Sequence, residues 1–225
     1  MIDQHTKPQL VKKFLIAFFL LSVFSVRLTS SAFAATRPNS EMRSVLRALE
    51  EKQGKPIEAL TPAEARLQST PMDATKSLRL KNKQRVEPEA LAEVRDIEVD
   101  GASGKIPVRF YNPFNRVSLP MIVYYHGGGF VLENNDVYDA SARALSKQAQ
   151  AIVISPEYRK APEHPFPAAH DDAFSAYLWV GGDPTRVAVA GESVGGNLAL
   201  NVAIRARDGA GDRAGGGARR QGDKI

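Results

Sequence analysis

The stretch that constrains this chain most runs from Arg186-Val-Ala-Val-Ala190 through Gly191-Glu192-Ser193-Val194-Gly195 to Gly196-Asn-Leu-Ala-Leu-Asn-Val-Ala-Ile204. An apolar run, a glycine-bounded pentapeptide and a helix-like segment follow one another without a spacer, which predicts strand, tight turn and helix. Glycines two residues to either side of a serine are required where any Cβ would meet the neighbouring strand or helix, and the serine is forced into a strained backbone conformation. Ser193 is then exposed at a helix start, near its positive end, and the amide of Val194 points to where an oxyanion would form. Alone, G-x-S-x-G is a common pattern. A second, independent pattern stands upstream: His126-Gly127-Gly128-Gly129-Phe130 directly follows the strand-like Pro120-Met-Ile-Val-Tyr-Tyr125. The two have complementary chemistry, one supplying a hydroxyl and the other backbone amides.

The 225 residues, 43% hydrophobic and 24% charged, suit one globular domain with a sizeable core. The formal charge of +5 belongs to the ends. Residues 1–34 carry four cations and one anion, residues 205–225 carry six and three, and the body between them holds 20 cations and 21 anions. A near-neutral body offers no electrostatic footprint for nucleic acid. The absence of cysteine excludes disulfides, thiol nucleophiles and cysteine zinc sites, and no metal or cofactor is expected.

Lys12-Lys13 precede a 13-residue apolar run from Phe14 to Val26, and Ala32-Phe33-Ala34 places small residues where a signal peptidase reads. Arg27 stops that run short of the roughly 18 apolar residues a membrane span needs. Residues 1–34 are therefore predicted to be a cleaved signal peptide, leaving no stable membrane span and an exported protein, periplasmic or secreted. Residues 35–90 are predicted to be a helical cap region, with a mere helical leader as the alternative. Met42, Val45, Leu46 and Leu49 give an amphipathic helix over 41–53, and Thr61-Pro62-Ala63-Glu64 reads as N-cap, N1 proline and capping box for a short helix through Leu67. The lysine-rich stretch from there to Pro88 shows no clear periodicity and is read as solvated.

Residues 91–206 carry strand and helix signals in alternation. A hairpin over Val94–Asp100 and Ile106–Tyr111 is expected at a sheet edge because of Pro107. Apolar strands at 121–125, 151–155 and 186–190 alternate with helices at 139–150 and 171–180, predicting an α/β domain with a mixed sheet and a site at the strands' C-terminal ends. Asp171 and Asp172 fall at a predicted helix start, where capping is the expected role.

Three stretches, Tyr124-Tyr-His-Gly-Gly-Gly-Phe130, Glu157-Tyr-Arg-Lys-Ala-Pro-Glu-His-Pro-Phe-Pro-Ala-Ala-His-Asp-Asp172 and Gly191-Glu-Ser-Val-Gly-Gly-Asn-Leu-Ala199, together resemble the hormone-sensitive-lipase-like branch of the α/β-hydrolase fold. These are bacterial esterases and lipases with an HGGG motif. The likeness covers roughly residues 61–206. It implies a partial α/β-hydrolase fold, a mixed and mostly parallel sheet with helices on both faces, and hydrolysis of small carboxylic esters through an acyl-enzyme on a serine. On this sequence Ser193 resembles the nucleophile, and the amides of Gly128, Gly129 and Val194 resemble the oxyanion hole. His126, Gly127, Gly191, Glu192 and Gly195 support the two motifs, with His126 tying down the loop and Glu192 shaping the pocket. The pattern says nothing of oligomeric state.

In such a hydrolase the triad acid and histidine follow the serine, and each strand-helix-strand step takes about 30 residues. Only 32 residues follow Ser193, and His164 and His170 precede it as loop residues. Residues 207–225, rich in glycine and arginine, are predicted to be a disordered tail unable to bury a strand. The expectation is thus a C-terminally truncated hydrolase, altered by a reading-frame change near codon 205 and inactive as written. A non-catalytic ligand-binding relative and a non-functional remnant are the alternatives.

Overall fold

The computed structural model describes residues 37–115, 118–181 and 185–213; the predicted signal peptide and residues 214–225 lie outside them. Three helices come first, α1 (Ser40–Glu50), α2 (Pro62–Arg66) and α3 (Pro71–Lys81), with a 3-10 turn at Ile57–Ala59. α2 and α3 begin alike. The Thr61 and Thr70 side chains accept from the amides of Glu64 and Asp73, whose carboxylates return to the threonine amides, and a proline follows each threonine. The second of these boxes opens an 11-residue helix where no periodic element was expected. Only Ala74 of that helix is buried, so no apolar stripe announces it and the caps alone mark its start.

The hairpin is β1 (Glu93–Gly101) and β2 (Gly104–Asn112). β3 (Met121–Tyr125), β4 (Ile152–Pro156) and β5 (Val187–Gly191) run parallel to one another, and the order across the sheet is β1-β2-β4-β3-β5. The hairpin lies at a sheet edge through β1, whereas β2, which carries Pro107, is an inner strand. Pro107 is tolerated there because pairing with β4 begins only at Val108, while its carbonyl accepts from the Glu157 amide at 2.8 Å.

Side-chain alternation along the strands fills two separate layers. Val123 and Tyr125 of β3 join Ile152 and Ile154 of β4 in a cluster with α5 (Ala168–Trp179) and α6 (Val194–Arg213). Tyr124 and Val153 point the other way, into a cluster with Ala142 of α4 (Asp139–Ala149). The result is a mixed α/β sheet covered on both faces. Among the described residues no helix is long and apolar enough to cross a membrane.

Two boundaries differ from expectation. α5 starts at Ala168, so Asp171 and Asp172 lie inside the helix and neither caps it. α6 continues through Arg213, which makes residues 207–213 of the predicted tail helical. Alanine and arginine are strong helix formers, and they outweigh the glycines at 209 and 211.

Candidate active site

Parallel pairing sets Tyr125 of β3 opposite Gly191 of β5, so both motifs leave the sheet at the same level. At the β5 end the chain turns back sharply. Ser193 has a φ of 53°, the left-handed region that costs a non-glycine residue about 1–2 kcal/mol. A Cβ on Gly191 would overlap the Gly195 carbonyl, and one on Gly195 would overlap the Tyr125 carbonyl. Strand, turn and helix thus touch through their backbones. Ser193 is left exposed at the head of α6.

At the β3 end the glycines close a turn. The amides of Val131 and Leu132 both return to the Gly128 carbonyl, at 3.0 and 2.7 Å. Gly128 has a φ of 111°, and a Cβ there would come within 2.8 Å of the Leu132 carbonyl carbon. Closure of the turn itself therefore demands this glycine, whereas Gly129 faces open space at a φ of 64°. Among the described residues the amides of Gly128, Gly129 and Val194 donate to no protein acceptor. Gly128, Gly129 and Ser193 border a cavity of about 480 Å³, walled on its far side by Ile57, Leu60, Pro62 and Ala65.

His126 lies beneath the turn. Its ring is fully buried, stacked on Tyr158 at 4.5 Å, with Nδ1 2.7 Å from the Gly127 carbonyl oxygen. The Tyr158 hydroxyl donates to the His126 carbonyl at 2.8 Å. Nε2 of His126 sits 3.7 Å from Glu157 Oε1, and Lys160 reaches the same oxygen at 2.6 Å. Burial pushes the Glu157 carboxyl up, but the His126 imidazole, Lys160 and the Asn135 amide outweigh it and hold the group at about 2.

Glu192 joins the two motifs. Its carboxylate accepts a hydrogen bond from the Tyr138 hydroxyl, and a Cβ on Gly127 would strike both groups. Burial and that carboxylate raise the Tyr138 phenol. Both side chains border the cavity beside Ser193.

The other histidines stand elsewhere. His170 belongs to the first turn of α5 and not to a loop; its Nε2 is 3.1 Å from Asn197 Oδ1, and its ring lies against Phe130 and Phe166. His164 lies in the loop before α5. Among the described residues none of the three imidazoles hydrogen-bonds to the Ser193 hydroxyl. Nor do the described residues contain a group of three or more side chains placed to hold a metal ion. Asp172 is buried, and its carboxylate accepts from the Arg159 amide at 3.0 Å and from Nε and Nη2 of its guanidinium at 2.8 Å, so it fastens the loop after β4.

Three side chains that hold the site together carry no sequence signal of that role. Tyr158 lies inside the second resembling stretch without a motif of its own. Tyr138 ends the loop before α4, and its partner is 54 residues away. Arg66, on α2, donates to the Val131 carbonyl, 65 residues distant.

A family model of the α/β-hydrolase fold matches residues 122–216. The chain is 50% identical over 129 residues to carboxylesterase NlhH of Mycobacterium tuberculosis, a match covering 54% of this chain and 40% of that protein. It is 42% identical over 100 residues to the gibberellin receptor GID1 of Oryza sativa, covering 40% of this chain and 28% of the receptor. Among solved structures, the hyperthermophilic esterase of the archaeon Pyrobaculum calidifontis superposes with a TM-score of 0.65 at 35% identity, over 78% of this chain and 56% of that one. The chain thus spans less than half the length of the curated relatives it matches.

Proposed function

We propose, for a chain that belongs to the α/β-hydrolase family and is kin to its hormone-sensitive-lipase-like esterases, the nucleophile and oxyanion-binding parts of a serine carboxylic-ester hydrolase. One observation carries this reading. Ser193, held at a φ of 53°, shares a cavity with the Gly128 and Gly129 turn, and those amides have no protein acceptor among the described residues.

The chemistry follows from that arrangement. The Ser193 hydroxyl attacks the carbonyl carbon of a small ester, and the carbonyl oxygen gains negative charge as the tetrahedral intermediate forms. Amides already fixed by the turn and the head of α6 meet that charge without reorganising, each donor contributing roughly 3 kcal/mol to the transition state. Collapse breaks the ester carbon–oxygen bond, the alcohol leaves with the proton lost by the serine, and water later cleaves the acyl-enzyme. Proton transfer needs a general base at Ser193, and no described imidazole sits there. Full turnover by these 225 residues is therefore near background, while acylation by an activated ester persists, because the oxyanion site and binding alone retain roughly 10³–10⁴-fold over water.

The test is intact-mass and peptide mapping after incubation with p-nitrophenyl acetate. One acetyl group on Ser193 is expected, and Ser193→Ala should remove it with folding unchanged. An equal adduct in the variant sinks the reading. A second reading, a site that binds a small apolar ligand without cleaving it, is favoured by the lack of a described base at Ser193. Saturable ligand binding, unaltered by Ser193→Ala and with no adduct, would select it. We also place the protein outside the cytoplasm, on the strength of Lys12-Lys13, the apolar run and Ala32-Phe33-Ala34; a cell-fractionated product that keeps residues 1–34 would overturn that.

A further inference from the structure

We propose that Arg66 is a positioning residue for the oxyanion turn, which extends the esterase reading above. Arg66 ends the short helix α2, more than 60 residues before the turn in sequence, yet its guanidinium makes four hydrogen bonds to two other segments. Nε donates to the Val131 carbonyl at 2.7 Å and Nη2 to the Ala161 carbonyl at 2.8 Å. The Ala161 amide donates to the Phe130 carbonyl at 2.9 Å. These contacts form a closed ring in which consecutive carbonyls of the turn, Phe130 and Val131, are tied to Ala161 directly and through Arg66.

Glu163 completes the arrangement by accepting from both terminal nitrogens at 2.8 Å, which fixes the plane of the guanidinium. The Arg66 contact holds the Glu163 carboxyl at about 2. That carboxylate is half exposed, so the ion pair by itself adds little stability, and its consequence is geometric. A planar fork can serve two carbonyls and a carboxylate at once, whereas a lysine ammonium is a point charge with no fixed plane.

The turn needs such an anchor. Gly128 and Gly129 both have positive φ, Gly129 faces open space, and their amides must stay aimed at one point in the cavity. The same helix supplies Pro62 and Ala65 to the cavity wall. Arg66 therefore fixes the distance between the wall that faces the substrate and the amides that polarise it.

The experiment compares Arg66→Ala, Arg66→Lys and Glu163→Gln in the 225-residue protein by two measurements. In the first, p-nitrophenyl acetate acylates Ser193: the serine–acyl bond forms, the ester bond breaks, p-nitrophenolate leaves and the hydroxyl proton passes to buffer. Both Arg66 variants should lower the limiting acylation rate on the order of ten- to a hundredfold, as misplacement by a fraction of an ångström to an ångström does. The half-saturating ester concentration and melting temperature should stay near the parent's, and Glu163→Gln should act more weakly than Arg66→Lys. In the second, hydrogen exchange of the Val131 and Leu132 amides should speed up about tenfold in both Arg66 variants, by local opening, with β3 and β5 unchanged. Arg66→Lys acylating at the parent's limiting rate, or unchanged exchange in the turn, overturns the proposal. If no protein acylates at Ser193, the esterase reading fails, and the exchange comparison still decides the role of Arg66.

Discussion

The elbow at Gly191–Gly195 and the turn at Gly127–Glu133 lie side by side, yet they are held by different forces. The elbow is fixed by backbone contact: Gly191 abuts Gly195, Gly195 abuts Tyr125, and each approach is closer than any Cβ permits. The turn is fixed by hydrogen bonds. Tyr158, Arg66 and Ala161 hold the carbonyls of Gly127, Val131 and Phe130 from elsewhere in the chain, and only at Gly127 and Gly128 does crowding add a constraint. Steric closure leaves no intermediate states, so the elbow is either formed or lost. A hydrogen-bonded turn can lose one support and shift by a fraction of an ångström, which makes it the adjustable half of the site.

Gly195→Ala is the largest test of that contrast. The new methyl group would overlap the Tyr125 carbonyl at the end of a central strand, and neither β3 nor α6 can retreat without unpacking the larger core cluster. We expect a loss of at least about 3 kcal/mol, the upper end for forced overpacking. The same change at Gly129, which faces open space at a φ of 64°, should cost only about 1–2 kcal/mol of backbone strain. Urea midpoints of the two variants measure both; equal losses would erase the distinction between the halves.

Acid titration probes the turn's foundation. Glu157 has its folded pKa depressed to about 2 from a model-peptide value of 4.5, so the folded state binds the proton less tightly than the unfolded state. Its stabilisation is present in full above pH 4.5 and disappears as pH falls through the folded value. The shift corresponds to roughly 3 kcal/mol. Glu157→Gln should flatten that part of the acid limb of stability against pH, and the same slope in parent and variant would show that the carboxylate is not held by His126 and Lys160.

The same contrast explains what the sequence discloses. The elbow's requirements are local, with two glycines, a serine and flanking apolar runs lying within some twenty residues, and so strand, turn and helix are readable. The HGGG run is readable for the same reason, as is the Thr61 capping box. Thr70-Pro71-Met72-Asp73 carries an equal signal, but the helix it opens buries only Ala74 and offers no periodicity to follow. Asp172 reads as a cap because acids favour helix starts, whereas its long-range partner Arg159 decides its place. Arg66 and Tyr138 find partners 54 to 97 residues away, and a single chain carries no mark of such pairings.

Tyr158→Phe gives the smallest and most selective effect. Removing the hydroxyl leaves the ring stacked on His126 at 4.5 Å and deletes the 2.8 Å bond to the His126 carbonyl and the weaker 3.3 Å contacts to the Gly127 carbonyl and to His126 Nδ1. One neutral hydrogen bond contributes about 1 kcal/mol net, so global stability should drop by roughly that amount. The elbow shares no hydrogen bond with Tyr158, and its amides at Gly195 and Gly196, bonded to Glu192 and Ser193 at 2.8 and 3.0 Å, should exchange with solvent at the parent's rate. Amides of Val131 and Leu132 should exchange faster, because the strand end that carries the turn has lost its tie to the loop after β4. If elbow and turn loosen together, the two halves of the site form one cooperative unit, and the division between steric and hydrogen-bonded support fails at its most sensitive point.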